Sequence, residues 1–224
     1  MSVPRRLIPL IAAVIGLSSA SAFAQAKEPI ARFVVDARGA SAGLPTEPGW
    51  TPVVPADTQL PSRALGFDLG AHVFPIRIKS AAIGIGATWG LARGRTKPPE
   101  IPPGTTTPIV QSPEVTTRTT SLAPQVSLNF GHSLGWSYLS AGLGQTRVES
   151  EARAVTGTIQ YTPRDSGWTK TINFGGGARW FVNDHIGVSF DLRWHKLSIV
   201  AASNTHPGAP RASLFTAAVG LSLK

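Results

Sequence analysis

The sequence contains no cysteine among its 224 residues, so disulfides cannot stabilise the fold. Charged residues are also scarce, at 15% of the chain. No stretch reaches the roughly 18 consecutive apolar residues that indicate a membrane-spanning helix. These absences leave a large packed sheet, a barrel or a membrane environment as the source of stability.

The first 26 residues have the pattern of a secretory signal peptide. Arg5 and Arg6 precede an apolar run from Leu7 to Leu17, and small residues then lead to residues 24–26, where cleavage is expected. The run is short for a retained membrane anchor, which is the alternative interpretation. A mature chain of about 200 residues fits one all-β domain better than two, so residues 27–224 are predicted to form a single domain.

The formal net charge of +9 bears on the partners of the chain. Nucleic-acid sites cluster their cations on one face, often among stacking aromatics, whereas the cations here are scattered singly along the sequence. The pattern therefore argues against nucleic acid. It favours anionic lipid headgroups as the partner if the chain is exported to an outer membrane.

Glycine and proline are plentiful, with 23 and 19 residues, and between them the sequence alternates apolar and polar positions. The clearest case is residues 171–197, where Phe190 and its apolar neighbours alternate with Asp191 and the other polar residues. A polar turn at residues 183–184 divides the segment into two halves. Strand side chains alternate between two faces, so the pattern predicts a hairpin of two amphipathic strands.

The same alternation predicts six further strands, which makes eight in total. The proposed strands are residues 30–38, 64–74, 80–92, 119–130 and 136–149, the two halves of 171–197, and 212–223. A bulge is expected at Pro124, because proline removes a hydrogen-bond donor from the ladder. The connections alternate long and short along the chain, which would place both termini and the three short turns on one side. Outer-membrane barrels sort their loops in this way.

The fold class predicted from these features is all-β, an eight-stranded antiparallel up-and-down transmembrane β-barrel with its apolar face turned to lipid. Aromatic residues then fall near both ends of the strands, as membrane interfaces favour. The predicted membrane-interface aromatics are Phe74, Trp89, Phe130, Trp136, Trp168, Trp180, Phe181 and Trp194.

The polar face of the same strands carries charges of both signs, which predicts an ion-pair network inside the barrel. The proposed lumenal residues are Arg32, Asp36, Arg38, Asp68, His72, Arg179, Asp191, Arg193 and His195. An eight-stranded barrel leaves an interior about wide enough for side chains, so structural filling is favoured over a narrow gated pore.

With these strands in place, the chain resembles the small eight-stranded outer-membrane barrels of bacteria, the OmpA/OmpX/OmpW-like proteins. The resemblance includes the signal peptide, the eight strands, and the glycine-rich strand at residues 175–182 that leads through a polar turn into Ile186. It implies a monomer in the outer membrane, in contact with its lipid and inserted by the barrel assembly machinery. The chain departs from these barrels in ending with Leu223-Lys224 instead of an aromatic residue.

The resemblance implies a non-catalytic protein without a cofactor, with a structural or adhesive role through its external loops or narrow-pore passage of small solutes. One alternative is a lipid-modifying barrel enzyme, but a spacing of three places His195 and Ser198 on opposite faces of a strand. Another is a soluble periplasmic barrel that binds an apolar ligand. A metal site is not predicted, because the spacing of the histidines and aspartates does not demand one.

Overall fold

The computed structural model describes residues 28–98, 112–155, 159–202 and 208–224, so the proposed signal peptide lies outside the described residues. These residues form eight long strands and one strand of two residues. The strands are β1 (Phe33–Gly43), β2 (Arg63–Ile78), β3 (Ala81–Thr96), β4 (Glu114–His132), β5 (Gly135–Arg153), β6 (Arg164–Asp165), β7 (Thr169–Phe181), β8 (Ile186–Leu197) and β9 (Ala212–Leu223). No helix in this part of the chain is long and apolar enough to cross a bilayer.

Every long strand pairs with two neighbours in antiparallel orientation. The order runs from β4 through β3, β2, β1, β9, β8 and β7 to β5, and β4 also pairs with β5, which closes the barrel. The two-residue β6 adds to β5 at Glu149 and Ser150. The predicted eight-stranded up-and-down barrel is confirmed.

The connections alternate in length as the sequence predicted. Short turns join β2 to β3, β4 to β5 and β7 to β8, and the chain enters β1 and leaves β9 on the same side, where Leu223 pairs with both Val35 and Ile186. We call this side the short-turn end. The opposite side, which carries the four long connections, is the long-loop end.

Strands β4 and β5 extend further than the sequence indicated. Each has 19 residues, and β4 begins at Glu114, inside a segment predicted to be loop. That segment is rich in threonine, a residue that favours strands. The two strands therefore form a ribbon that continues into the long-loop end, where Glu114 pairs with Arg153.

The bulge predicted at Pro124 is not present. Pro124 pairs with Ala87 in an uninterrupted register between β3 and β4. The register shifts instead between Val73 and Ile76 of β2, around Pro75. Both prolines lack the backbone N–H that would donate a hydrogen bond to the neighbouring strand. A bulge accompanies this missing donor at Pro75 but not at Pro124.

The outward face of the barrel is apolar. Large hydrophobic side chains on it remain solvent-accessible, such as Ile85 at 55%, Val126 at 55% and Phe190 at 36%, whereas their sequence neighbours Ser127 and Asp191 are buried inside. A soluble barrel would bury the apolar set, because exposed apolar patches of this extent are rare on soluble monomers. The face is therefore built to meet lipid.

An apolar cluster closes the short-turn end from inside. Its members are Ile30, Val34, Phe74, Ala82, Trp136 and Phe181, all less than a tenth exposed. Trp136 stacks on Phe181 at 4.9 Å between ring centroids and meets Phe74 edge-on at 6.1 Å. Ile30 comes from the segment before β1, which is held beneath the barrel by a hydrogen bond from the Ser133 amide to the Glu28 carbonyl, at 3.0 Å.

The membrane-interface prediction is therefore wrong for Phe74, Trp136 and Phe181, which point into the barrel. Each of them is adjacent in sequence to an outward-facing residue. Successive side chains of a strand point to opposite faces, so the alternation alone assigns all three to the inner face. The other five predicted aromatics are exposed and remain predictions as interface residues, namely Trp89, Phe130, Trp168, Trp180 and Trp194.

The long-loop end is covered by Trp50 from the first long connection. Its side chain is 1% exposed and packs on Val148, Leu197 and Leu214. The indole nitrogen of Trp50 donates a hydrogen bond to the Pro210 carbonyl at 3.0 Å, which joins the first and last long connections. Apolar side chains thus cover the interior at both ends.

Candidate functional site

The interior between the two apolar clusters contains three aspartates and three arginines, arranged in two groups of contacts. Asp36 lies at its centre with 0% exposure and accepts hydrogen bonds from Arg179 Nε at 2.9 Å and Nη2 at 2.6 Å. The Nη2 of Arg38 approaches the same carboxylate at 2.5 Å, and the Ser222 hydroxyl donates to it at 2.5 Å. One buried carboxylate thus holds two guanidinium groups.

Arg38 extends this contact to the neighbouring strand. Its Nη1 donates to Asp68 Oδ1 at 2.6 Å, and its Nε donates to the Ser189 hydroxyl at 3.3 Å. Charge-assisted hydrogen bonds of this kind are roughly twice as strong as neutral ones. Strands β1, β2 and β8 therefore meet through one arginine and its partners.

A second group of contacts surrounds Asp191 on β8. Arg193 donates to Asp191 from Nε at 3.1 Å and from Nη2 at 2.9 Å, and the Tyr138 hydroxyl donates to the same carboxylate at 2.7 Å. Arg193 also donates to the Asn173 side chain at 2.9 Å and to the Ser140 hydroxyl at 2.9 Å. The guanidinium of Arg179 lies 4.1 Å from the centre of the Tyr138 ring, which links the two groups.

Six of the nine predicted lumenal residues belong to this network, which carries three positive and three negative formal charges. We call it the lumenal network, and its charged members are Asp36, Arg38, Asp68, Arg179, Asp191 and Arg193. Buried charges are costly unless they are paired and hydrogen-bonded, and each of these has both. The network therefore fills the lumen with side chains whose formal charges sum to zero.

The other three predicted residues lie elsewhere. Arg32 precedes β1 and is exposed, so the structure separates it from the network. His72 is 5% exposed inside the barrel, and neither of its ring nitrogens has a hydrogen-bond partner among the described residues. His195 lies at the long-loop end of β8, partly buried, while Ser198 is exposed just beyond the same strand.

The polar residues that complete the network were not singled out from the sequence. Tyr138, Asn173 and Gln125 each sit on the inner face, and Gln125 donates to Thr88 at 2.8 Å and to Asn173 at 3.0 Å. The alternation that identified the charged residues applies equally to these positions. Uncharged polar residues simply give a weaker signal than Asp or Arg.

Glycines leave the room that the network needs. A Cβ on Gly177 would lie 2.0 Å from the Phe190 carbonyl oxygen and 2.8 Å from the Tyr138 hydroxyl. Gly177 belongs to the triple glycine at residues 175–177. The triple glycine thus lets β7 approach β8 while Tyr138 reaches Asp191.

A surface cavity of about 270 Å³ lies outside the barrel at the β4–β5 ribbon. Its lining is mixed in charge, with Arg118 and Arg164 beside Glu149, Glu151 and Asp165. Among the described residues, no group of three or more His, Cys, Asp or Glu side chains is placed to hold a metal ion.

Comparisons with known proteins identify the fold. Ail, the attachment invasion locus protein of Yersinia pestis, in complex with the heparin analogue sucrose octasulfate, matches with a TM-score of 0.52 at 12% identity, over 88% of this chain and 98% of Ail. Neisserial surface protein A matches with a TM-score of 0.49 at 15% identity, over 87% and 97% of the two chains. The outer membrane protein OprG from Pseudomonas aeruginosa matches with a TM-score of 0.43 at 9% identity, over 88% and 97%.

The chain has the fold of the small eight-stranded outer-membrane β-barrels, as its sequence resemblance implied. At these identities the likeness concerns the fold alone. No family model and no curated protein sequence matches the chain.

Proposed function

We propose that this protein is a monomeric, non-conducting and non-catalytic outer-membrane barrel that acts through its long-loop end. The observation that carries the proposal is the lumenal network with an apolar cluster at each end. Asp36, Arg38 and Arg179 are 0 to 3% exposed, and Trp50 and Trp136 cover the two ends at 1 and 3%. An ion would have to break several charge-assisted bonds and displace apolar side chains to pass.

The outward face supports the proposed location. Exposed aliphatic side chains surround the barrel, and only a closed barrel or a helix satisfies every backbone group inside a bilayer. Removal of residues 1–26 on export and insertion by the barrel assembly machinery belong to the same proposal. Leu223 occupies the last outward position of β9, at 51% exposure, and continues the apolar face to the short-turn end.

The β4–β5 ribbon supports a structural or adhesive role at the long-loop end. It extends the sheet beyond the apolar band and is stiffened by Arg147, which donates to Asp165 from Nε at 2.9 Å and from Nη2 at 2.5 Å. Arg95 of β3 forms a further ion pair with Glu114, which ties the ribbon to the neighbouring strand. A paired ribbon holds a surface in a fixed position, which a recognition surface requires.

Conductance measurements on the refolded protein in a planar bilayer test the proposal. We expect no conductance steps, while a porin inserted into the same bilayer gives them. Heat-modifiable migration in a detergent gel establishes that the sample is folded. Reproducible steps from folded protein would overturn the closed lumen and favour narrow-pore passage of small solutes.

A further inference from the structure

The outward face carries a ring of cations immediately beyond the apolar band at the long-loop end. On six of the eight long strands, and directly before β9, an arginine or lysine occupies the first or second outward position past the last large apolar side chain, as Arg93 follows Leu91 and Lys196 follows Trp194. We call these residues the basic belt. They are Arg63, Arg93, Arg118, Arg147, Lys170, Lys196 and Arg211.

The strand registers place the belt residues at one level. Arg93 is the direct partner of Arg118 across β3 and β4. Lys170 pairs with Gln145, the outward neighbour of Arg147, and Lys196 pairs with Ile172, the outward neighbour of Lys170. The cations scattered along the sequence are therefore gathered by the fold into one ring.

Most of the belt has no acidic partner. Arg147 lies within ion-pair distance of the carboxylates of Glu149 and Asp165, and Arg118 stands directly opposite Glu149 across β4 and β5. The other five form no ion pair with the described residues. Arg93 and Arg118 also stand directly opposite each other, an arrangement of like charges that destabilises a sheet. Repulsion between these cations destabilises the isolated barrel, whereas attraction to a layer of anions would stabilise it.

The short-turn end has no equivalent. The outward residues beyond its apolar band are mixed, with His132, Val182 and Asp184 among them. This end also carries cations, but they do not form a belt: Arg77 donates to the Ile30 carbonyl and Lys224 to the Ser133 carbonyl, while Arg32 precedes β1 and Lys79 lies in the β2–β3 turn. A row of cations just beyond the apolar band is therefore a feature of the long-loop end.

We propose that the basic belt binds phosphate-bearing lipid headgroups of the leaflet at the long-loop end. Ammonium and guanidinium groups are the protein donors best suited to phosphate oxygens, and their level just outside the aliphatic band is that of a headgroup. Lys196 shows the geometry, because its Nζ lies 5.6 Å from the centre of the Phe174 ring at the edge of the apolar band. This inference rests on the proposed outer-membrane location but not on the closed lumen.

Lipid binding by the refolded full-length barrel in neutral detergent tests the belt. The probes are bisphosphorylated lipid A, phosphatidylcholine and inorganic phosphate, and bound lipid is counted by native mass spectrometry. The belt variant replaces four cations that lack an acidic partner by glutamine: Arg63, Arg93, Lys170 and Lys196. A matched variant replaces four cations outside the belt: Arg32, Lys79, Lys97 and Arg153.

We expect the unaltered protein and the matched variant to retain lipid A in preference to phosphatidylcholine, and the belt variant to bind lipid A at least about tenfold more weakly, since each cation near a charged surface contributes about fivefold. Equal lipid A binding by the two variants would overturn the proposal. Displacement of lipid A by inorganic phosphate at a similar concentration would do so too, because it would identify a site for free phosphate.

Two further readouts keep the test decisive. Heat-modifiable migration establishes that each variant is folded, and the single variants Lys170→Gln and Lys196→Gln replace the fourfold variant if it does not fold, with a loss of about fivefold expected for each. Conductance of the same samples separates the two proposals. A barrel that conducts ions but still prefers lipid A would overturn the proposal of a closed lumen and support the proposal of lipid binding by the belt.

Discussion

The arginines inside the barrel and the cations of the basic belt sit in opposite electrostatic situations. Arg38, Arg179 and Arg193 are almost fully buried, and each contacts an aspartate of the same chain. Five of the seven belt cations are on the outer surface without such a partner in the described part of the chain, the exceptions being Arg147 and Arg118. The difference shows which charges the protein neutralises itself and which it leaves to its surroundings.

This contrast has a physical basis in solvation. A guanidinium in a narrow lumen has lost most of its water, and an unpaired one would lower the stability of the barrel by several kcal/mol. A carboxylate beside it offsets that cost. A belt cation keeps its water until an anion replaces it. The inner ion pairs should therefore stabilise the barrel against unfolding, whereas the outer cations should contribute little to its free energy of unfolding.

The largest effect is expected for Asp36→Ala. The substitution leaves Arg38 and Arg179 without their shared carboxylate, and breaking a buried pair from one side costs about 3 to 5 kcal/mol. Urea unfolding of the refolded protein, followed by tryptophan fluorescence, measures the free energy. Asp184→Ala, at an exposed turn, is the control and should change it by less than about 0.5 kcal/mol. Equal effects of the two substitutions would mean that the lumenal network does not stabilise the barrel.

The next effect concerns the cluster that closes the short-turn end. Trp136→Ala removes the ring between Phe74 and Phe181 and should cost about 3 kcal/mol through the lost contacts and the cavity. Trp180→Ala, on the outward face of the adjacent strand, removes a ring that is 54% exposed and should cost clearly less. Urea unfolding in the same detergent compares the two. A larger loss at Trp180 would contradict the inward placement of Trp136.

A charge placed on the lipid face tests the other side of the sheet. Val126→Arg should destabilise the barrel in a phospholipid bilayer by about 2 to 4 kcal/mol, because an arginine near the bilayer midplane lacks both water and a partner. Val126→Leu keeps the apolar surface and serves as the control. If the arginine variant is as stable as the leucine variant in bilayers, position 126 does not face lipid.

The smallest effect is expected at the belt. Lys170→Gln in neutral detergent should change the free energy of unfolding by less than about 0.5 kcal/mol, since the side chain is exposed and pairs with no carboxylate among the described residues. The unfolding midpoint in urea measures the difference. A loss comparable to that of Asp36→Ala would show that the belt is structural.

The alternation of side chains was enough to predict the barrel and much of its interior. Asp36, Arg179 and Asp191 stand out because a charge in an otherwise apolar alternating segment must face the inside. Their pairing was not predictable, because Asp36 and Arg179 are 143 residues apart and meet only once the barrel closes in one register. The same rule, applied strictly, would have placed Phe74, Trp136 and Phe181 inside.

The covered ends were beyond the reach of a local pattern. Trp50 lies in a connection without a periodic signal, and its partner Pro210 is 160 residues away. Ile30 belongs to a segment that folds under the barrel only because the short turns hold it there. The basic belt was equally hidden, because its members are single cations in the sequence and share a level only through the strand registers.

Site-directed spin labelling along β4 tests the orientation of the sheet most directly. The chain has no cysteine, so a cysteine placed at each position from Leu122 to Phe130 in turn is the only labelling site. In a phospholipid bilayer, labels at positions 122, 126, 128 and 130 should collide with membrane-dissolved oxygen, while those at 125, 127 and 129 should be shielded from it. The account is contradicted if this order is reversed, with the second set open to oxygen and Val126 shielded.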